Sequence, residues 1–217
     1  IGATLQRKFE RINFSTSLRQ PLITGMRPPL LQYIGADITL FETNVQKLQV
    51  SANASRNFRA PTLNDRYWED VGRKDLLPEE SYAMESGLLW VYHKVKLRGT
   101  AFYQLVDQWI LWSPDSTNTY RPDNIKKVKA RGFETSTEFE WKVRSFSQTV
   151  RGSYQFTKST TEEASLAEAA SIGKQLIYTP LHTAAASIVS RFKNWSANVF
   201  LQYSGVRFTE ASNSPVY

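Results

Sequence analysis

The chain has 217 residues, 41% hydrophobic and 22% charged, with a formal net charge of +7, no cysteine and two histidines. That is too apolar for a disordered chain and long enough for one sizeable domain. It excludes disulfide scaffolds, thiol catalysis and cysteine zinc sites, while two distant histidines, His93 and His182, do not make a metal centre. No apolar run reaches the length of a membrane-spanning helix. Ile1 is neither a Met nor preceded by a basic-then-apolar leader, so the chain is expected to start downstream of a true N-terminus.

Period-2 alternation, the mark of a strand with one apolar and one polar face, recurs along the whole chain. It predicts nine strands, at 6–18, 32–42, 46–58, 81–92, 95–109, 128–141, 145–158, 178–191 and 195–209. On the third, Leu48, Val50, Ala52 and Ala54 oppose Gln49, Ser51, Asn53 and Ser55. On the sixth, Phe133, Thr135, Thr137, Phe139 and Trp141 oppose a face carrying Glu134, Glu138 and Glu140, which calls for water. On the seventh, Phe146, Val150, Tyr154 and Phe156 alternate with Ser147, Thr149, Arg151 and Ser153. On the last, Trp195, Ala197, Val199, Leu201 and Tyr203 alternate with polar residues, Phe200 excepted.

Short turns are predicted near Asn44, His93, Val143 and Lys193, and long polar connections from about Arg59 to Glu80, Ile110 to Lys126 and Ser159 to Gln175. Nearly all the strands exceed the ~5–6 residues usual in soluble sheets and suit the ~9–11 needed to cross a bilayer at a tilt. Short turns on one side, long loops on the other and aromatics beside the turns (Trp90, Tyr92, Trp141, Phe146, Phe192, Trp195) form the layout of an outer-membrane barrel with one interfacial girdle. Val50 and Ala52 are then expected to face lipid, and Ser51 and Asn53 the lumen. A soluble β-sandwich also alternates, but strands this long would need a very tall apolar core.

Two blocks carry a resemblance: Arg56-Asn-Phe-Arg-Ala-Pro-Thr-Leu-Asn-Asp-Arg-Tyr-Trp68, and Leu77-Pro-Glu-Glu-Ser-Tyr-Ala-Met-Glu-Ser-Gly87. Phe102 to Ile110, Lys129-Ala-Arg-Gly-Phe-Glu-Thr135 and Val199 to Phe208 follow in order. From about Gln49 onward the chain resembles the β-barrel domain of TonB-dependent outer-membrane receptors, most closely the cobalamin-transporter-like receptors of the Bacteroidetes type. Gly72-Arg-Lys-Asp-Leu-Leu-Pro78 departs from the Asn-Pro pair usual there, which leaves that turn's geometry open.

The resemblance implies an all-β, antiparallel up-and-down transmembrane barrel of 22 strands, of which residues 1–217 supply about nine as a partial barrel domain. The N-terminal plug and its energy-coupling box are not in this sequence, and about three more strands are expected after Tyr217. It further implies active uptake of a scarce nutrient, a corrinoid such as cobalamin or else an iron siderophore or haem. The implied partners are the TonB complex acting through the plug, outer-membrane lipids and lipopolysaccharide, the cargo, and a surface lipoprotein. No cofactor and no metal are expected. A passive porin-like or adhesive barrel and a soluble carbohydrate-binding β-sandwich are the competing function classes.

Cargo in such receptors meets loop apices, so Tyr67, Trp68, Trp112, Tyr120 and Arg121 are the candidate ligand-binding residues: aromatic faces and a guanidinium grip a macrocycle or chelate by stacking and hydrogen bonding. Tyr67 and Trp68 could equally pack their own loop. Phe58-Arg-Ala-Pro61 reads as structural, because Pro ends ladder pairing where a strand leaves the bilayer. Thr160-Thr-Glu-Glu163 resembles a capping box leading into a short helix over Ala164–Ile172 with Gly173 as its stop. Glu162, Glu163 and Glu168 are a minor candidate cation set, and Glu134, Glu138 and Glu140 are better read as lumenal charges than as paired catalytic carboxylates. No Ser/His/Asp set and no phosphate-binding glycine loop occurs, so an enzyme is not expected. Nor is a nucleic-acid partner, since the basic residues are dispersed apart from Lys126-Lys-Val-Lys129. Strand-end Lys and Arg beside anionic outer-leaflet lipids account for the charge as well.

Overall fold

A computed structural model describes residues 1–115, 117–164 and 166–214, without the side chains of residues 126 and 166–168. Ten strands form one antiparallel sheet in strict chain order: β1 Gly2–Lys8, β2 Ile12–Arg19, β3 Leu31–Glu42, β4 Gln46–Arg59, β5 Glu79–Tyr92, β6 Val95–Pro114, β7 Tyr120–Val143, β8 Phe146–Glu163, β9 His182–Phe192 and β10 Trp195–Ser204. β1 and β10 lie at opposite edges, so the sheet is an open segment of a barrel wall. The expected count of nine is corrected to ten, because 6–18 is two strands. A turn at Phe9–Arg11, closed by the Phe9 N–H donating to the Ile12 carbonyl at 2.8 Å, folds β2 back on β1.

The four expected short turns are all present. Three contain two residues, and in each the first is left-handed: His93 (φ 50°), Arg144 (52°) and Lys193 (49°). Positive φ at the first central residue suits a two-residue hairpin to the twist of its strands, although Gly or Asn adopts it more cheaply. The turns also dock on one another, His93 N–H donating to the Val45 carbonyl at 2.7 Å and Lys193 N–H to that of Ser145 at 3.4 Å.

Register fixes the faces. Ile38, Val50 and Leu88 are successive partners across β3–β5, and Phe139, Val150, Ile188 and Val199 across β7–β10. The alternate positions form a polar surface in which Lys96, Glu138, Arg151 and Ser187 are successive partners across β6–β9. Arg151 donates to Glu138, and Gln155 to Glu134 at 3.0 Å, so these glutamates pair across strands as lumenal charges would. Shallow hollows of about 320 and 230 Å³ open over this surface, lined by Arg98, Ser136, Glu138, Arg151 and Ser153 among others.

Among the described residues no second sheet covers either face, and the apolar one is left bare: Val199 is 59% exposed and Leu201 66%. That is the opposite of a sandwich, in which the apolar faces of two sheets bury each other. The bare face is bounded by two aromatic rows. Trp90 and Tyr82 on β5, Trp141 and Phe133 on β7, Phe146 and Tyr154 on β8, and Trp195 and Tyr203 on β10 each lie eight residues apart. Eight residues at ~3.4 Å, tilted by ~35–45°, give a height of about 19–22 Å, close to the ~25 Å apolar band of an outer-membrane barrel. A second girdle thus faces the one visible beside the turns.

Beyond the upper girdle the strands continue. The loop expected between Ile110 and Lys126 is instead a hairpin: β6 runs to Pro114, β7 starts at Tyr120, and only 115–119 connect them. Thr160–Glu163 likewise belong to β8, where Glu162 and Glu163 are held by Lys129 (2.8 Å) and Lys127 (2.6 Å) of β7, and not to a helix cap. The helix that follows is a 3-10 turn over Leu166–Ser171, with Gly173 left-handed after it (φ 75°); the Glu168 side chain lies outside the described residues. The compact core sits at this loop end, where Val106, Ile125, Val128 and Leu176 bury one another against Trp109 and Leu111.

Candidate functional site

The connection from β4 to β5 begins with Pro61, buried just past the last ladder pair, as a residue without an N–H requires. It then enters helix α1, Leu63–Tyr67, through a capping box: the Asp65 N–H donates to Thr62 Oγ1 (3.1 Å) and the Thr62 N–H to Asp65 Oδ2 (2.8 Å). Asp65 is itself buried and accepts a further hydrogen bond from Trp112 Nε1 on β6, at 2.8 Å. Burial pushes its pKa up, but the hydrogen bonds from Trp112 and Thr62 and the charge of Arg59 outweigh it and hold the carboxyl below the usual carboxylate range.

The turn left open by the sequence closes on the helix. Gly72 N–H donates to the Trp68 carbonyl (2.9 Å) and Arg73 N–H to that of Asp65 (2.8 Å). A Cβ at Gly72 would lie 2.6 Å from the Trp68 nitrogen and 2.8 Å from that of Tyr67, so glycine is required for this approach. Arg73 then forks to Asp75 (2.6 Å) and to Asp123 of β7 (2.7 Å), while the Asn124 side chain pairs with both backbone groups of Leu77, at 2.9 and 3.0 Å. Below it, Arg59 grips Glu79 with two hydrogen bonds and Arg56 meets Glu80 at 2.7 Å; Glu79 also accepts the Ile110 N–H at 2.7 Å. The two matched sequence blocks are therefore one cross-strand lock between β4 and β5.

This scaffold leaves an open cleft of about 510 Å³ lined by Thr62, Asn64, Asp65, Trp68, Val71, Trp112 and Tyr120. Trp68 and Trp112 meet edge to face at 6.2 Å between ring centroids. Tyr120 Oη lies 2.6 Å from Tyr178 Oη, which joins the hairpin to the connection between β8 and β9; this bond raises the Tyr178 pKa. Three of the five anticipated aromatic and basic residues, Trp68, Trp112 and Tyr120, thus line one cleft. Tyr67 lies outside it, its ring exposed and flanked by the cations of Arg66 and Lys74. Arg121 acts as a strut, donating to Asp115 (3.0 Å) and to the Asp70 carbonyl (3.1 Å). The sequence reading misses the other four, Thr62, Asn64, Asp65 and Val71; the Thr62-x-x-Asp65 spacing is the available signal, in the Asp form of the box.

A family model described as "TonB dependent receptor-like, beta-barrel" matches residues 41–217. A vitamin B12 transporter BtuB of Photobacterium profundum is 29% identical over 172 residues, which cover 77% of this chain and 26% of that protein. One of Vibrio vulnificus is 32% identical over 90 residues, covering 41% of this chain and 15% of that protein. Among solved structures, the copper transporter OprC (TM-score 0.65, 15% identity) and the RagAB peptide transporter (0.67, 12%) each align over 94% of this chain and 33% of theirs. At those identities they establish the fold alone. The chain spans about a quarter of the first of these curated relatives. With the family matched over most of its length, this chain belongs to the TonB-dependent receptor-like β-barrels, and its ten strands are a segment of outer-membrane barrel wall.

Proposed function

We propose that the complete protein is an active-transport receptor that captures a scarce nutrient at the cleft of Trp68, Trp112 and Tyr120 and imports it with energy delivered through TonB and an N-terminal plug. The observation that carries this reading is the cleft itself: two indoles and a phenol sit on locked scaffolding at the loop end, above the upper aromatic girdle. Large, rigid aromatic faces held in place bind a planar or macrocyclic ligand with little loss of side-chain entropy. The cargo favoured is a cobalamin-type corrinoid, in keeping with the two curated relatives named as vitamin B12 transporters. Arg121 supports the cleft from outside through its bonds to Asp115 and to the Asp70 carbonyl.

Cyanocobalamin titrated into the complete receptor tests this. Trp68→Ala should weaken binding about five- to thirtyfold, the usual cost of truncating an aromatic anchor, and leave the heat-stability of the barrel unchanged. Unchanged affinity removes the cleft from the site. Binding of a ferric siderophore with no corrinoid binding replaces the cargo.

A further inference from the structure

The net charge of the chain is concentrated at one rim of the barrel. Within two residues of the five short turns stand ten of the 27 basic residues and two of the 20 acidic ones, leaving seventeen basic against eighteen acidic over all the rest. The rim is therefore +8 and the remainder of the chain −1. Among the described residues, Lys47 alone of those ten has a carboxylate partner, Glu42 at 3.2 Å. At the loop end, by contrast, Arg56, Arg59, Arg73, Arg121, Lys127 and Lys129 each pair with a carboxylate, although among the described residues Arg66, Lys74 and Lys174 do not.

Three further observations fix what the rim meets. First, the turns lie just beyond the lower aromatic girdle, the depth at which a barrel passes from hydrocarbon to headgroups. Second, two of the cations lean on exposed rings: the Arg7 guanidinium sits 5.1 Å from the Phe9 centroid and Lys193 Nζ 5.4 Å from that of Phe192, whose strand position lies on the apolar face. An apolar body with a cationic tip suits this interface. Third, Arg144 and Lys193 occupy left-handed turn positions where Gly or Asn is conformationally preferred, so the cation is kept against backbone preference.

We propose that this rim is a binding surface for anionic phospholipid headgroups, with Arg11, Lys94, Arg144 and Lys193 at the turn tips as the phosphate contacts. An acidic protein surface is the other class of partner that a cationic rim could take; the placement beside the girdle and the ring-borne cations favour lipid. Because short turns face the periplasm in such barrels, the surface addresses the inner leaflet.

The test uses the complete receptor, with its inward-facing residues intact, in vesicles of phosphatidylcholine alone or with about 30 mol% phosphatidylglycerol, a composition that gives a clearly negative surface. Lipid that stays bound after detergent extraction is counted by native mass spectrometry. The wild type should retain phosphatidylglycerol over phosphatidylcholine. Joint Arg11→Gln, Lys94→Gln, Arg144→Gln and Lys193→Gln substitution should cut that retention by about tenfold or more, while the charge-keeping set Arg11→Lys, Lys94→Arg, Arg144→Lys and Lys193→Arg retains it. Equal retention by wild type and the glutamine set, displacement of the lipid by inorganic phosphate of equal ionic strength, or an equal loss in the charge-keeping set would each overturn the proposal.

Discussion

Position 150 is the sharpest place to test which face of the sheet meets hydrocarbon. Val150 lies midway between Phe146 and Tyr154, hence about 10 Å from each girdle if eight residues span about 19–22 Å of height. Its partners across the ladder are Phe139 and Ile188, both apolar. An arginine at the bilayer midplane of a barrel's outer face costs ~2–4 kcal/mol, a factor of roughly 30 to 1,000 in the folded-to-unfolded ratio. The adjacent Thr149 points to the opposite face, where Glu140 is its partner on β7. Thr149→Arg gains a carboxylate across the ladder in a wet environment, so its effect should stay within about 0.5 kcal/mol. Refolding of the complete receptor into vesicles, followed by urea titration, reads the difference directly. Val150→Leu serves as the apolar control and should cost less than ~1.5 kcal/mol, since it adds one methylene and no charge. Equal destabilisation by the two arginines would refute the face assignment; a loss in Val150→Leu as large as in Val150→Arg would place the effect in packing and not in hydrocarbon.

Asp65→Asn keeps the volume but removes the charge that caps α1 and anchors Trp112, and should loosen residues 60–78 by about 1–3 kcal/mol; hydrogen exchange should rise in that segment and not in β4 or β5. Gly132→Ala should weaken the β7–β8 ladder by about 1–3 kcal/mol or more, because the new Cβ would lie 1.9 Å from the Phe156 carbonyl oxygen; an unchanged urea midpoint would refute this. Hydrogen bonds from the Thr117 hydroxyl and the Thr119 and Thr117 amides, with Arg121, hold the Asp115 pKa down to about 2. A depressed carboxylate pKa contributes order above its ordinary value of 3.8 and loses it as pH falls through the folded one. Protection of the Thr117 and Thr119 amides, taken relative to their intrinsic exchange rate at each pH, should therefore persist down to about pH 4 and be lost toward pH 2, and Asp115→Asn should abolish that acid step.

What the sequence could show follows from the range of the interactions involved. The faces, the turns near Asn44, His93, Val143 and Lys193 and the lower girdle were legible because alternation and turn-flanking aromatics are local features. The turn at Phe9–Arg11 holds no Gly, Pro or Asn, and its one trace in the sequence is a shift of parity, the apolar positions being odd at Leu5 and Phe9 and even from Ile12 and Phe14 onward. The 110–126 segment reads as a loop from its Pro, Asp and Asn content. It is nonetheless a hairpin, because Asp123, Asn124 and Ile125 are held by Arg73, Leu77 and Leu176 from other connections. The capping motif illustrates the same point twice. At Thr160–Glu163 the local pattern is present, but Lys127 and Lys129 across the ladder claim the glutamates for strand β8. At Thr62–Asp65 the pattern is weaker in sequence, yet the box forms because Trp112, 47 residues away, supplies the carboxylate's second partner. Local chemistry thus nominates caps and aromatics, and long-range pairing decides which are used. The aromatic types in the candidate site were legible for the first reason, and the carboxylate that positions Trp112 was hidden for the second.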